Sequence, residues 1–275
     1  MKKYWLLLGL LWITGSVQAR VIVVDPNGDV PTITLAINMA TPGDTVKILP
    51  GIYEEQIELD KDIIVMGSGY ENTILTGPFD PVVNMTAGVL QWVRITSLSG
   101  SGVFLKGGVL RNVVIQNCAK NGVYMESADA DILNSVIVYN GWHGIWLQDE
   151  STVNVINSIV RDNGRRDIDS PGLGGVGRIF LSHVFAGSWR VGQGSAINTF
   201  NKDPQFRGRY DFRLSGNSPA IDAGNPSILD PDGSISDIGY FGGPHAPTFP
   251  VVTRLELIPL EDGGVRVKAY GRANF

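Results

Sequence analysis

Two neighbouring stretches hold most of the residues whose chemistry could form a functional site. The first, "NGWHGIWLQD", places His143 between Trp142 and Trp146. A tryptophan offers a flat apolar face to a sugar ring, and a histidine can move a proton near neutral pH. The second, "RDNGRRDIDS", supplies six charged candidates for catalysis: Arg161, Asp162, Arg165, Arg166, Asp167 and Asp169.

The charged stretch has the ingredients for cleaving an acidic polysaccharide. A lyase of that kind needs a cation that neutralises the sugar carboxylate and a base that removes the adjacent proton. Arginines supply the first, and His143 or another arginine could supply the second. Ordinary turn sequences have the same composition, however, and His143 taken alone is typical of a turn residue. The meaning of both stretches therefore depends on the elements that hold them.

Those elements are repeats. Residues 90–188 align with themselves as five segments, "LQWVRITS", "LRNVVIQN", "LNSVIVYN", "INSIVRDN" and "LSHVFAGS", which begin 20 to 25 residues apart. Apolar and polar residues alternate with a period of two within each segment. Repeats of this length with this period predict the coils of a parallel β-solenoid. A leucine-rich repeat would require a helical return, which the sequence lacks.

The alignment of the five segments assigns side chains to faces. One predicted inward column is Val93, Val113, Val136, Ile159 and Val184, followed by Ile95, Ile115 and Val138. A predicted outward column is Arg94, Val114, Ile137, Val160 and Phe185. An exposed aliphatic stripe across several coils is unfavourable, so we expect the C-terminal segment or a neighbouring molecule to cover it. At the next bend, the alignment predicts a structural ladder of Asn117, Asn140 and Asn163.

A second outward column is aromatic. Gly102, Gly122 and Gly144 each open a short strand, "GVFLK", "GVYME" and "GIWLQ". Because neighbouring residues of a strand point to opposite faces, aliphatic side chains on one side place Phe104, Tyr124 and Trp146 on the other. With Trp142 and His143 at one end, this column predicts a platform for a glycan. Packing beneath the loop 170–177 is the alternative.

Composition and charge narrow the classes of function. The 275 residues are 43% hydrophobic and 18% charged, which is typical of a folded chain. Lys2 and Lys3, an apolar stretch over residues 4–13 and a cleavage site at Ala19 predict a signal peptide. Its removal leaves 20 basic and 27 acidic residues, a net charge of −7. That charge argues against nucleic acid as a partner, and the single cysteine, Cys118, excludes an internal disulfide.

The sequence resembles the pectin-lyase-like superfamily of right-handed parallel β-helices. The resemblance rests on the repeats, on "TITLAINMATPGDTVKILPGIYEEQIELDKDIIVMGSGYENTIL" (residues 32–75) and on "DPQFRGRYDFRLSGNSPAIDAG…DPDGSISDIGYFGGP" (residues 203–244). The first of these segments is similar to the opening of secreted β-helix proteins, including periplasmic proteins related to the nitrous-oxide-reductase accessory factor. Over residues 21–244 the resemblance implies about eight or nine coils. It does not imply an activity, because the catalytic motifs of polygalacturonases, pectin esterases and the epimerases are absent.

One further motif concerns a metal. The segment "DPDGSISD" could bind calcium through Asp230, Asp232 and Asp237, although it lacks the complete ligand set of an EF-hand loop. An aspartate-rich capping turn is the alternative interpretation. Calcium is thus the one cofactor that the sequence leaves open, and no cofactor is established.

Together these observations predict an all-β protein, a single-stranded right-handed parallel β-helix with an N-terminal capping helix and a C-terminal β-hairpin. Residues 1–19 form the predicted signal peptide and residues 20–244 the β-helix. Residues 245–275 form a hairpin extension or begin a second β-domain. The predicted function is recognition of polysaccharide along the outer face by an exported protein, periplasmic, extracellular or at the cell surface. The alternatives are a lyase or glycoside hydrolase acting on a uronate-containing glycan, and a structural or adhesion module. The mature chain is expected not to insert into a membrane.

Overall fold

The strands stack into three parallel sheets that wind around one core. This computed structural model describes residues 18–148, 151–171, 178–191, 193–247, 249–259 and 265–274. Sheet 1 contains Val21–Val24, Thr45–Ile48, Ile64–Met66, Val89–Gln91, Gly107–Arg111, Asp129–Leu133, Thr152–Ile156, Arg178–Ala186 and Gln193–Phe200. Sheet 2 contains Gly51–Glu54, Thr73–Thr76, Arg94–Ile95, Val114–Gln116, Val136–Val138, Ile159–Arg161 and the second half of Arg178–Ala186. Sheet 3 contains Ile57–Leu59, Val83–Met85, Val103–Leu105, Val123–Glu126, Ile145–Gln148, Ile168–Ser170 and Trp189–Val191.

The chain visits the three sheets in a fixed order, so each turn adds one rung to each sheet. Seven such turns run from Thr45 to Val191 in the described residues, with Val21–Val24 before them and Gln193–Phe200 after them. The predicted parallel solenoid is confirmed, but with fewer coils than the eight or nine expected. The reason is that the segment after residue 200 leaves the stack, since Phe206–Gly208 and Asp211–Leu214 pair in an antiparallel manner.

Inward side chains of all three sheets form one continuous core. Sheet 1 contributes a column of buried residues that face each other in register: Leu90, Leu110, Ile132, Val155 and Leu181. Sheet 2 contributes Ile95, Ile115, Ile137, Val160 and Ala186. Sheet 3 contributes Val103, Val123, Ile145 and Ile168. Burial of these aliphatic side chains is the main source of the stability of the fold.

The predicted columns of sheet 2 were wrong by one residue in the third and fourth coils, whereas Val184 and Phe185 of the fifth coil lie inward and outward as predicted. Val136 pairs with Val114 and Ile159 pairs with Val136, so both belong to the outward column. Ile137 and Val160, which the alignment placed outward, lie in the core. The cause is the adjacent apolar pair Ile132 and Leu133, of which the alignment chose the leucine. The register instead pairs Leu110 with Ile132, 22 rather than 23 residues later.

The corrected outward column of sheet 2 is covered, as expected, by the C-terminal segment. Its members are Arg94, Val114, Val136, Ile159 and Phe185. The last four are buried in a second apolar cluster together with Tyr70, Phe212, Ala220, Ile238 and Tyr240. We name residues 201–246 the cover segment. It is fixed by buried hydrogen bonds, including those from the side-chain amide of Asn112 to the carbonyls of Tyr240 and Gly242.

The asparagine ladder contains two of its three predicted members. The side-chain oxygen of Asn163 accepts from the backbone and side-chain nitrogens of Asn140, at 3.1 and 3.0 Å. The side-chain oxygen of Asn140 accepts from the backbone of Cys118 at 3.0 Å. Asn117 is exposed with a φ of 53°, a left-handed conformation that asparagine tolerates. The position before Asn140 in this ladder therefore belongs to Cys118, not to Asn117.

Each end of the described chain has its own element. The helix Ile33–Met39 packs against the first strands, with Ile33, Ala36 and Ile37 buried. The carboxylate of Glu55 accepts from the first two backbone N–H groups of the helix, and Lys61 donates to carbonyls at its C-terminal end. Strands Phe249–Pro259 and Val265–Asn274 form an antiparallel pair. Residues 1–17 of the predicted signal peptide and residues 260–264 between these strands lie outside the described residues. Among those described, no helix is long and apolar enough to cross a membrane.

Candidate functional site

The aromatic column lies on the outer face of sheet 3. The strands place Phe104 opposite Tyr124 and Tyr124 opposite Trp146. The rings of Phe104 and Tyr124 are stacked, with centroids 5.0 Å apart, and those of Tyr124 and Trp146 are 5.3 Å apart and tilted by 33°. All three side chains are half-buried. The predicted alignment of the column is confirmed, and its three rings form a nearly continuous apolar strip.

Glycines in the preceding turn hold this register. A Cβ atom on Gly122 would lie 2.7 Å from the carbonyl oxygen of Gly144, and one on Gly144 would lie 2.5 Å from that of Asp167. Such distances are too short for a side chain, so successive turns can approach closely only where glycine is present. Successive turns therefore stack directly on one another, and the outward residues that follow them align in a column.

The aromatic column is the floor of a cleft. The cleft has a volume of about 330 Å³ and is lined by Asp80, Pro81, Ser101, Phe104, Lys120, Asn121, Tyr124, Trp142 and Trp146. The turns that precede sheet 3 form its wall. On the other side of the floor, the hydroxyl of Tyr124 is 2.9 Å from the carboxylate of Glu126 and 3.2 Å from the side-chain oxygen of Gln148. The space thus combines an apolar floor with polar groups at both sides.

Cations approach the aromatic rings from several directions. Lys120 and Arg165 lie over Trp142, at 5.7 and 4.5 Å from its ring centroid. Lys106 lies 4.7 Å from the centroid of Phe104. Lys120 also forms an ion pair of 2.5 Å with Asp80, whose carboxyl pKa is lowered despite the opposing effect of partial burial. Both members of this pair are exposed enough for the interaction to be weak in water.

His143 lies at one end of the column and is more buried than expected. Its ring stacks on that of Trp146 with a centroid distance of 6.0 Å, and its Nδ1 atom is 3.9 Å from the carboxylate of Asp169. That distance is too long for a hydrogen bond, and among the described residues the buried Nδ1 atom has no hydrogen-bond partner. Burial is the main cause that lowers the pKa of His143; Asp169 opposes this shift, whereas Arg165 and Arg166 add to it.

Asp169 continues the column in the next coil. It pairs in register with Trp146 on one side and with Arg190 on the other. The guanidinium of Arg190 donates two hydrogen bonds to the buried carboxylate, of 2.6 and 2.9 Å. This bidentate geometry is the one in which an arginine binds a carboxylate most specifically. It raises the pKa of Arg190, which remains largely exposed.

The six charged catalytic candidates do not form one cluster. Arg161 lies on a strand of sheet 2, contacts Asp162 at 3.4 Å and donates to the carbonyl of Lys202. The carboxylate of Asp167 accepts from the backbone of Asn163 and Ser188 and is thus a structural cap within the turns. Of the six, the structure brings Arg165, Arg166 and Asp169 near His143.

The calcium candidates are used within the cover segment. Asp230 accepts from the backbone of Asp237 at 3.0 Å, Asp232 accepts from Ser234 at 2.7 and 3.0 Å, and Asp237 accepts from the backbone of Asp222 at 2.8 Å. In the described part of the chain, no three His, Cys, Asp or Glu side chains are grouped closely enough to hold a metal ion. The three aspartates thus bond to backbone and serine groups of the cover segment, and calcium binding stays a prediction.

Sequence reasoning missed several residues of the site. Arg190 lies one coil beyond the charged stretch, and Lys120 and Asp80 lie in earlier turns. The stack of turns brings Lys120, Trp142 and Arg165 together, because the backbone of Trp142 bonds to Lys120 and that of Arg165 to Trp142. Extending the sheet 3 alignment by one coil would have found Arg190. Nothing in the local sequence around Asp80 indicates its pairing with Lys120, 40 residues later.

Comparison with known proteins agrees with the fold. Residues 83–199 match the family model described as a right handed beta helix region. This match agrees with the parallel coils of the structure. Among solved structures, the β-helix is similar to the crystal structure of pectate lyase Pel9A, with a TM-score of 0.45 and 15% sequence identity over 82% of this chain and 97% of that chain. No curated protein matches the sequence.

Proposed function

We propose that this β-helix is an exported protein that binds a polysaccharide segment in the cleft on sheet 3. The observation that carries the proposal is the stacked column of Phe104, Tyr124 and Trp146 on the cleft floor. The rings stack on each other, so the strip offers a row of ring edges, and the apolar face of a sugar ring can pack against it. A row of rings about 5 Å apart offers a continuous strip, which suits an extended chain of sugars better than a single small molecule.

The polar groups beside the strip suit the hydroxyl groups of a sugar. Ser101, Asn121 and the Asp80–Lys120 pair line the wall of the cleft. Glu126 and Gln148 follow on the other side, next to the hydroxyl of Tyr124. Hydrogen-bonding groups at both edges of an apolar floor fix the orientation of a ligand, while the floor supplies most of the buried area.

The charge around the cleft favours an acidic glycan. Lys106, Lys120 and Arg165 each lie over an aromatic ring of the site. The whole chain has a formal net charge of −5, and in the cleft wall Lys120 is balanced by Asp80, so Lys106 and Arg165 are the cations that favour an acidic chain. These cations would attract carboxylate or sulfate groups while the sugar rings pack along the edge of the aromatic column, an arrangement suited to a uronate-containing chain.

A binding assay with matched variants tests the proposal. The double variant Tyr124→Leu, Trp146→Leu keeps apolar volume but removes both ring faces. We expect its affinity for an acidic oligosaccharide to fall at least about 30-fold, as for a binding hot spot of about 2 kcal/mol, with an unchanged circular dichroism spectrum. Tyr210→Leu is the control, because Tyr210 is an aromatic residue of the cover segment with 52% exposure. Equal loss in both variants, or none in the double variant, contradicts the proposal.

A second candidate is cleavage of the bound chain, either by a lyase or by a glycoside hydrolase. The observation that favours it is His143, a buried imidazole with an unbonded Nδ1 atom beside Asp169 at the end of the column. Incubation with acidic polysaccharides, followed by absorbance of unsaturated products and by a reducing-end assay, separates the two reaction types from binding alone. Products that are lost in His143→Gln would identify the chain as an enzyme, whereas binding without products would leave recognition as the function.

A further inference from the structure

Arg190 is held at the end of the aromatic column by the carboxylate of Asp169. Its side chain is 47% exposed, whereas that of Asp169 is 7% exposed. Arg190 and Asp169 continue the outward column of sheet 3, so the guanidinium lies two rungs beyond Trp146. An extended ligand that stacks on the column would reach this guanidinium next. Guanidinium groups bind carboxylates and sulfates in a bidentate manner, which is how Arg190 already binds Asp169.

Asp169 has a second neighbour that it does not yet bond. The buried Nδ1 atom of His143 lies 3.9 Å from the carboxylate oxygen that also accepts from Arg190. A shift of about 1 Å would bring this pair within hydrogen-bond distance. An imidazole nitrogen without a partner in a buried position is unfavourable. The carboxylate of Asp169 therefore lies between two cationic partners, Arg190 and a protonated His143.

We propose that Arg190 is an anion-binding residue, and that Asp169 exchanges Arg190 for His143 when an anionic group of a ligand binds. The inference rests on the proposed function, since the ligand is an acidic sugar chain on the aromatic column. No covalent bond changes. The carboxylate or sulfate of the ligand binds the guanidinium of Arg190. The imidazole of His143 gains one proton from solvent, and the resulting imidazolium donates its Nδ1 proton to Asp169.

The charges around His143 explain why the exchange would favour its protonation. Among the described residues, the charged groups that act on it are Asp169, Arg165 and Arg166, with Arg190 behind Asp169. Burial and the two neighbouring arginines lower its pKa from the ordinary value. Arg190 offsets the charge of Asp169 while the two are paired. Once the ligand occupies Arg190, the negative charge of Asp169 is available to stabilise the imidazolium.

Binding of the anion and binding of the proton are then linked. A ligand that raises the pKa of His143 must bind more tightly where His143 is protonated, because the coupling free energy is reciprocal. The affinity for an acidic glycan should therefore increase as the pH falls through the acid range. A neutral glycan leaves Arg190 on Asp169, so its affinity should not depend on His143.

The exchange can be tested without any glycan. The chain has three histidines, so the Cε1–H signal of His143 can be assigned by its loss in His143→Gln. Arg190→Gln imitates the bound state by removing the guanidinium from Asp169. We expect the pKa of His143, followed by NMR, to rise by roughly one unit in Arg190→Gln, while those of His183 and His245 stay the same. An unchanged pKa of His143 overturns the exchange, whether or not the protein binds sugars.

The linkage is tested with two oligosaccharides that differ only in charge. Oligogalacturonate carries carboxylates, and its methyl ester is neutral. We expect oligogalacturonate to bind the full chain at least about five-fold more tightly at pH 5.5 than at pH 7.5, the lower end of typical coupling. The methyl ester should show no such change, and His143→Gln should abolish the change for oligogalacturonate. A pH dependence that persists in His143→Gln overturns the proposal. Failure of both oligosaccharides to bind at either pH, with the expected NMR shift, contradicts the proposed function but not the exchange.

Discussion

The outer faces of sheets 2 and 3 each carry an apolar column, but the column of sheet 2 is covered and the column of sheet 3 lines a cleft. On sheet 2 the column is aliphatic over Val114, Val136 and Ile159, and the cover segment buries it completely. On sheet 3 the column is aromatic, half-buried and lines a cleft. Aliphatic side chains gain only by leaving water, whereas aromatic rings also offer a face and an edge for specific contacts.

The comparison indicates a division of roles between the two faces. The polar neighbours of the sheet 2 column are bound to the cover segment, as Asn112 is to Tyr240 and Gly242. The neighbours of the sheet 3 column include charged groups with considerable exposure, such as Lys120 and Arg190. Stability should therefore depend on the outer face of sheet 2, and ligand binding on that of sheet 3. Four predictions test this division, beginning with the largest effect.

The first prediction is that Val136→Asp is severely destabilising, by about 3–5 kcal/mol. Val136 has no exposure, and the aspartate would place an unpaired charge between sheet 2 and the cover segment. Denaturant unfolding measures the change. Arg94→Ala, in the same outward column, is the control and should lose less than about 1 kcal/mol, because Arg94 is only partly buried. Equal losses in the two variants would show that the cover segment does not bury this column.

The second prediction concerns the hydrogen bond that fixes the cover segment. The backbone N–H of Tyr70 donates to the hydroxyl of Tyr240 at 3.0 Å, and both residues are buried. Tyr240→Phe keeps the ring but leaves this N–H without an acceptor, at a cost of about 1–3 kcal/mol. Thermal unfolding should show the loss. Tyr53→Phe is the comparison. The hydroxyl of Tyr53 donates to the carbonyl oxygen of Leu49. Its loss should cost less, because a carbonyl oxygen is left unpaired more readily than a buried N–H group.

The third prediction is a pH dependence that originates in the cover segment. Burial, followed by repulsion from Asp230 and Asp222, raises the pKa of Asp237 to about 6. A carboxyl group whose pKa is raised in the folded state binds more protons there than in the unfolded chain. Its contribution to stability is therefore greatest below about pH 4 and is lost as the pH rises through about 6.

Asp237→Asn removes this titration. The amide oxygen can still accept from the backbone N–H of Asp222, as the carboxylate does at 2.8 Å. We expect the variant to be more stable than the parent chain by about 1–2 kcal/mol at pH 7.5, after allowance for partial exposure of the side chain. At pH 4 the two should unfold alike. A variant that is less stable at pH 7.5 would contradict the assigned pKa shift. Ligand binding on sheet 3 should be unaffected.

The sequence predicted sheet 3 more accurately than sheet 2, and the reason is physical. In sheet 3 the glycines at 102, 122 and 144 mark positions where backbones approach closely, so their spacing reports the true length of each coil. In sheet 2 the alignment relied on leucine and valine, which are interchangeable in a core and also occur in a covered outward column. The neighbouring pair Ile132 and Leu133 then allowed an error of one residue, which moved Val136 to the wrong face.

The candidate site was predictable only where it follows the repeat. Phe104, Tyr124 and Trp146 share one position in successive coils, so a one-dimensional alignment finds them. The pairs Asp80–Lys120 and Asp169–Arg190 depend on which side chains bend towards each other across coils. The opposite holds for Arg161 and Asp169, which are close in sequence but lie on sheets 2 and 3. Proximity in a solenoid follows the coil spacing and not the sequence distance.

The last prediction has the smallest expected effect. It compares two matched substitutions, one in the cover segment of sheet 2 and one in the aromatic column of sheet 3. Phe212 is 1% exposed and packs against Tyr70 and Phe206, with ring centroids 5.5 and 5.2 Å away. Phe212→Leu should lose about 1–2 kcal/mol, because the smaller side chain leaves space in a packed cluster. Phe104→Leu makes the same chemical change where the ring is half-buried and stacks on Tyr124, and it should lose less than about 1 kcal/mol. Chemical denaturation of both variants in one buffer gives the comparison directly.

Since Phe104 also lies on the cleft floor, its substitution should weaken oligosaccharide binding several-fold, whereas Phe212→Leu should bind normally once folded. If Phe104→Leu is the more destabilising of the two and binding is unchanged, the aromatic column contributes to packing, and the contrast between the two faces fails.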